Sequence, residues 1–185
     1  TPFSGYNKMG AEVTYNLKGN TLRTTVKVTT PLANIPTVIV ALRHDGFIKD
    51  FTTVLSADYM NKKVEFTTRF NLGSTVFGSI KLTTPYTNME QFVVGFNHEG
   101  TLASFKTEAN VETPFRGYER MSAEYTHSTT ASGFTCYGRF ESTIPNFQST
   151  QLTLNHDMPA DNAMISNIAL DTSFPGYKRF SVDVN

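Results

Sequence analysis

Tryptophan is absent from this 185-residue chain, and cysteine occurs once, at Cys136. A single cysteine excludes an internal disulfide framework and leaves the compartment open. No apolar run approaches the roughly 18 residues that a membrane-spanning helix needs, so such a helix is excluded. An excess of either charge is also missing: 16 Lys+Arg stand against 16 Asp+Glu. That balance gives no electrostatic case for nucleic acid or an anionic membrane. Charged residues are only 17% of the chain and hydrophobic residues 39%. Thr, Ser and Asn fill the gap, and Thr with Phe, Tyr and Val is a strand-forming mixture. No Asn-x-Ser/Thr acceptor for an N-glycan occurs, and helical periodicity is lacking throughout.

What is present is repetition. A bulky residue beside a Thr-Pro or Gly-Tyr mark recurs at Phe3, Leu32, Tyr59, Tyr86, Phe115, Pro145 and Phe174, at intervals of 29, 27, 27, 29, 30 and 29. The marks read TPFSGY (1–6), TPLANI (30–35), SADYMN (56–61), TPYTNM (84–89), TPFRGY (113–118), STIPNF (142–147) and TSFPGY (172–177). So short a period means one supersecondary unit used repeatedly, each too small to bury its own apolar face. Both ends read as cuts within a longer array, so residues 1–185 are expected to be a single β-repeat array from a much larger protein.

A second turn signal sits near the middle of each unit, at Lys18-Gly19-Asn20, Asp45-Gly46, Leu72-Gly73, Glu99-Gly100, Ser132-Gly133 and Pro159-Ala160-Asp161. Gly, Asn and Asp supply the positive φ of tight hairpin turns. Between turns the residues alternate with period two. Residues 11–18 put Ala11, Val13, Tyr15 and Leu17 against Glu12, Thr14, Asn16 and Lys18. Val64, Phe66, Phe70 and Leu72 oppose Glu65, Thr67, Arg69 and Asn71, and Met121, Ala123 and Tyr125 oppose Arg120, Ser122 and Glu124. Two faces follow from such alternation. The prediction is an all-β antiparallel meander of about 13 amphipathic strands, roughly 60 Å across, open or curled. A closed barrel or a sandwich is the alternative, since the apolar side needs a partner.

The segment HEGTLASFKTEANVETPFRGYERMSAEYTH (98–127), with TPFSGYNKMGAEVTY (1–15) and FPGYKRFSVDV (174–184), resembles the repeats of apolipophorins. These belong to the large lipid transfer protein superfamily with apolipoprotein B and vitellogenin. The resemblance implies a secreted, extracellular, non-enzymatic module of a circulating lipoprotein, with its apolar sheet face on phospholipid or neutral lipid. Other parts of the same large chain, or further copies of this one, would be its remaining partners. The side chains expected to face lipid are Val13, Tyr15, Leu17, Val64, Phe66, Phe70, Leu72, Met121, Ala123, Tyr125, Phe134 and Phe140. A membrane β-barrel and a surface adhesion or recognition array are the competing classes.

No catalytic motif appears, and no cofactor or metal is expected. His44, His98 and His127 each follow their marker by 12 residues, and His156 follows by 11. Neighbouring equivalents lie two strands, roughly 10 Å, apart, too far for a shared metal. The imidazoles read as polar residues capping turns, with a pH-sensing row as the alternative. Cys136 alternates with Phe134 and Phe140 and reads as a buried, inert thiol, with no histidine near it in sequence. Phe3, Tyr6, Tyr86, Phe115, Tyr118, Phe174 and Tyr177 are expected along one rim, either covering hairpin ends or sitting at a lipid–water interface.

Overall fold

The computed structural model describes residues 9–32, 36–160 and 163–184. The marks at 1–6 and 33–35, with Phe3 and Tyr6, and the turn position Asp161 lie outside them. Thirteen strands and no helix occur among the described residues. They are β1 (Gly10–Lys18), β2 (Thr21–Thr29), β3 (Thr37–Phe47), β4 (Asp50–Tyr59), β5 (Lys62–Leu72), β6 (Thr75–Thr83) and β7 (Gln91–Thr101). After them come β8 (Ser104–Glu112), β9 (Arg120–Thr129), β10 (Gly133–Ser142), β11 (Ser149–Ala160), β12 (Ala163–Thr172) and β13 (Arg179–Val184). The sheet order is the chain order, a pure meander that leaves β1 and β13 as edges rather than closing into a barrel. The chain divides into two compact units: Thr1–Gly73 with Gly78–Val93, and Ser74–Phe77 with Val94–Asn185.

In unit 1 the register of β1 to β5 sets Val13, Val26, Val40, Ala57 and Val64 in one transverse row. Tyr15, Thr24, Leu42, Leu55 and Phe66 form the next row on the same face. The opposite face carries Glu12, Lys27, Ile39, Asp58 and Lys63, then Asn16, Arg23, Arg43, Val54 and Thr67. Unit 2 is built the same way. Thr107, Tyr125, Gly138, Leu152, Leu170 and Phe180 run across one face, and Glu108, Glu124, Arg139, Gln151, Asp171 and Arg179 across the other.

The two faces differ in residue type but not in burial. Among the described residues no hydrophobic side chain is buried. Phe66 is exposed while Val64 and Phe70 are half-buried, but so are Glu65 and Thr67, with Arg69 exposed. A single layer has no interior, so alternation sets the face of each side chain without giving either face a cover. For the same reason Cys136 is half-buried rather than buried.

Two of the expected turns fall elsewhere. β3 runs through Asp45-Gly46 to Phe47, and β7 through Glu99-Gly100 to Thr101, so these hairpins turn at 48–49 and 102–103. Gly46 and Gly100 have φ of 111°, but they sit inside the ladder. A Cβ on Gly46 would lie 2.7 Å from the α-carbon of Phe51, and one on Gly100 would lie 2.7 Å from that of Phe105. These glycines permit close backbone approach at a strand end rather than forming the turn. By contrast Gly19, at φ 58°, does turn a hairpin, and Met60 and Asn61, at 47° and 60°, make the two-residue turn that replaces the Thr-Pro mark.

The Thr-Pro-aromatic mark is a self-bonded connector. The amide of Phe115 donates to Thr113 Oγ1 at 3.3 Å, Thr113 Oγ1 donates to the Tyr118 carbonyl at 2.7 Å, and the Tyr118 amide donates to the Phe115 carbonyl at 2.9 Å. Thr84 and Tyr86, Ser142 and Ile144, and Thr172 and Phe174 repeat the first of these bonds. The position equivalent to Phe115 in the sixth mark is therefore Ile144, not Pro145. Asn88, Gly117, Asn146 and Gly176 share the positive-φ position, where glycine and asparagine carry the least strain.

Candidate functional site

The register brings the expected lipid-facing residues together within each unit. Val13, Tyr15, Leu17, Val64, Phe66, Phe70 and Leu72 share one face of unit 1. Met121, Ala123, Tyr125, Phe134 and Phe140 share one face of unit 2. Several project far into the surroundings: Val13 and Tyr15 are each 66% exposed and Leu17 is 60% exposed, as is Phe180 on β13. The sequence reading missed neighbours such as Leu55, Leu152 and Ile168, which lie on the same faces and are also exposed. In β4 the alternation is blurred and the cross-strand register assigns Leu55, whereas in β11 Leu152 alternates with Gln151 and Thr153 and was legible in the sequence.

A row of rings crosses the apolar face of unit 2. His98 stacks on Phe105 at 5.4 Å between centroids, Phe105 on His127 at 5.3 Å, His127 on Phe134 at 5.8 Å and Phe134 on His156 at 5.2 Å. Phe105 also meets Tyr125 at 5.7 Å. The tilted, offset geometry is the one aromatic pairs favour. Each imidazole Nδ1 is held by the next strand: His98 by Thr107 Oγ1 at 2.8 Å, His156 by Ser166 Oγ at 2.9 Å, and His127 by Cys136 Sγ at 3.2 Å. In unit 1 His44 does the same with Thr53 Oγ1 at 2.7 Å.

The histidines are therefore ladder residues on the apolar face and cap no turn. Within unit 2 a phenyl ring stands between successive imidazoles, which sequence spacing alone could not reveal. Cys136 occupies the position that a Thr or Ser hydroxyl fills beside the other histidines. The hairpin of β9 and β10 brings His127 to it from nine residues upstream. Tyr125 Oη donates to the same sulfur at 3.2 Å, and that bond raises the phenol's pKa above its ordinary 10.0.

Charge lies on the other faces. Lys106 Nζ meets Glu108 at 2.8 Å and Glu124 at 3.7 Å, so Lys106 bridges two carboxylates that would otherwise oppose each other directly. The hydrogen bond to Glu108 raises the lysine, and its counterpart lowers the Glu108 carboxyl. Lys63 is raised by its contact with Glu65 at 2.6 Å, and Arg139 pairs with Glu141. In unit 1 a shallow groove on the polar face is lined by Arg43, Arg69 and Lys81 around the single carboxylate of Asp45.

The aromatic positions at the connectors are open to solvent: Tyr86, Phe115, Tyr118, Phe174 and Tyr177 are all exposed. Within unit 2, Phe174 and Tyr177 pack ring to ring at 6.3 Å. Comparison of the chain with protein-family models, with curated proteins and with solved structures returns no match.

Proposed function

We propose that this chain is a lipid-binding structural module of a secreted lipoprotein, with the apolar face of each unit laid on phospholipid or neutral lipid. One observation carries the reading: each unit gathers apolar side chains on one face, and no hydrophobic side chain is buried among the described residues. A contiguous apolar surface larger than a few hundred Å² is rare on a free protein and marks a site of contact. Lipid suits a sheet of this kind, because interior strands satisfy their backbone groups laterally and need no water on the covered side. The placement in a circulating particle rests on the apolipophorin-like wording of 98–127. The role is structural and non-catalytic.

The test is flotation of the 185-residue chain with phosphatidylcholine vesicles and with triacylglycerol emulsions. Attachment is the expected result, with self-association through the same faces when lipid is withheld. Replacing Phe66 and Phe70 together by Asp is expected to weaken both behaviours, while Glu65→Ala and Thr67→Ala on the polar face leave them intact. A monodisperse monomer that stays with the aqueous phase sinks the reading.

A further inference from the structure

We infer that the ring row of unit 2 makes its attachment to lipid dependent on pH, an inference that rests on the lipid reading above. His98, His127 and His156 lie on the face that would be covered, each between or beside phenyl rings. Imidazole is the one side chain whose ordinary titration falls between pH 5 and 8. In its neutral form it is tolerable against acyl chains, because Thr107, Cys136 and Ser166 already satisfy Nδ1. Once protonated it carries a charge that lipid cannot solvate.

No counter-charge is at hand. Among the described residues no Asp, Glu, Lys or Arg of β8 to β13 shares the face of the row by register, and none of β7 does by alternation about His98. The neighbours that the register and ring contacts give are Phe105 and Thr107 on β8, Tyr125 on β9, Phe134 and Cys136 on β10, Leu154 on β11, and Ser166 and Ile168 on β12. Of these Tyr125 and Cys136 are titratable, and phenols and thiols gain charge on the alkaline side. On β6, which borders β7, the charged residue is Lys81, which lines the polar-face groove with Arg43 and Arg69. Glu99 and Asp157 follow His98 and His156 in sequence but alternate to the other face, where Asp157 takes a hydrogen bond from Ser132.

The sign follows from linkage. Covering the row favours the neutral imidazoles, so attachment is complete above the imidazole range and is lost as pH falls through it. Three imidazoles in one continuous row would lie under the same cover. A single ring at His44, with Phe51 and Phe70 beside it, gives unit 1 a much weaker response.

The experiment is binding of the chain to phosphatidylcholine vesicles, which carry no net charge, at pH 7.5 and pH 5.5. Binding is expected to weaken about tenfold or more at the lower pH. His98→Gln, His127→Gln and His156→Gln combined are expected to abolish the pH response, read as the ratio of binding at the two pH values, while His44→Gln keeps most of it. If the triple variant loses its sheet spectrum, the three single variants replace it, each removing part of the response. Binding that is equal at the two pH values, or a full response that survives these substitutions, overturns the switch and leaves the lipid reading standing. No binding by the parent chain at pH 7.5 overturns the lipid reading, and the switch with it.

Discussion

Units 1 and 2 share a strand plan and a connector chemistry but differ in two respects. Unit 1 carries ten Lys/Arg against six Asp/Glu, and unit 2 carries six against ten, so the neutral total conceals opposite charges of about four on the two halves. The apolar faces differ as well. At the level of the histidines unit 1 shows Leu17, Leu22, His44, Thr53 and Thr68 in register, mostly small or aliphatic. Unit 2 instead interleaves three imidazoles with two phenyl rings. The same hairpin thus tolerates two surface chemistries, because neither face of a single-layer sheet must fit a fixed core.

The strongest probe of this parallel is the pair of ladder glycines. Gly46→Val and Gly100→Val each place a side chain against partner backbone at φ 111°, and each is expected to cost roughly 2–4 kcal/mol. Amide exchange tells the units apart: the first should lower protection over β3 and β4, the second over β7 and β8. Equal loss across all strands from either change would mean that the two units do not open separately.

A smaller effect sharpens the ring comparison. Phe105 touches His98, His127 and Tyr125, whereas Phe51 touches His44 and Phe70. Phe105→Leu is expected to cost about 0.5–1 kcal/mol more than Phe51→Leu in denaturant unfolding. Identical losses would show that the row has no cooperative worth.

The smallest expected effect is electrostatic. The hydrogen bond from Lys106 lowers the Glu108 carboxyl below its ordinary 4.5. A carboxyl lowered on folding stabilises the sheet above its unfolded pKa, and the contribution fades as pH falls through the folded value. Glu108→Gln should therefore flatten the loss of stability below about pH 4.5 and leave neutral stability within about 0.5 kcal/mol, since the pair is exposed. An unchanged acid limb would count against the pairing.

Much of this architecture was legible in the residues. Period-two alternation in 11–18, 63–72 and 120–127 gave the strands and their faces, because a sheet with two unlike faces writes the difference into every second position. Turn placement failed at Gly46 and Gly100 for a definite reason. Glycine answers to a positive φ and to a crowding neighbour, and in RHDG and NHEG both demands arise inside the ladder, two residues before the turn. The Cys136–His127 contact and the interleaved rings were hidden, since both depend on which residue of the next strand stands opposite. The lack of any buried hydrophobic side chain could not be read either, because alternation reports only that two faces differ.

The self-bonded connector has a consequence for how such a chain can change in length. Each one closes through bonds among its own residues, as Thr113, Phe115 and Tyr118 show. A hairpin and its connector therefore form a portable cassette. One cassette reverses the chain twice, so adding or removing a whole period returns it heading the same way with the same face uppermost. Inserting a lone strand would reverse everything downstream. Growth by duplication is thus quantised in pairs of strands, and a period near 29 residues is the smallest increment that leaves every neighbour undisturbed.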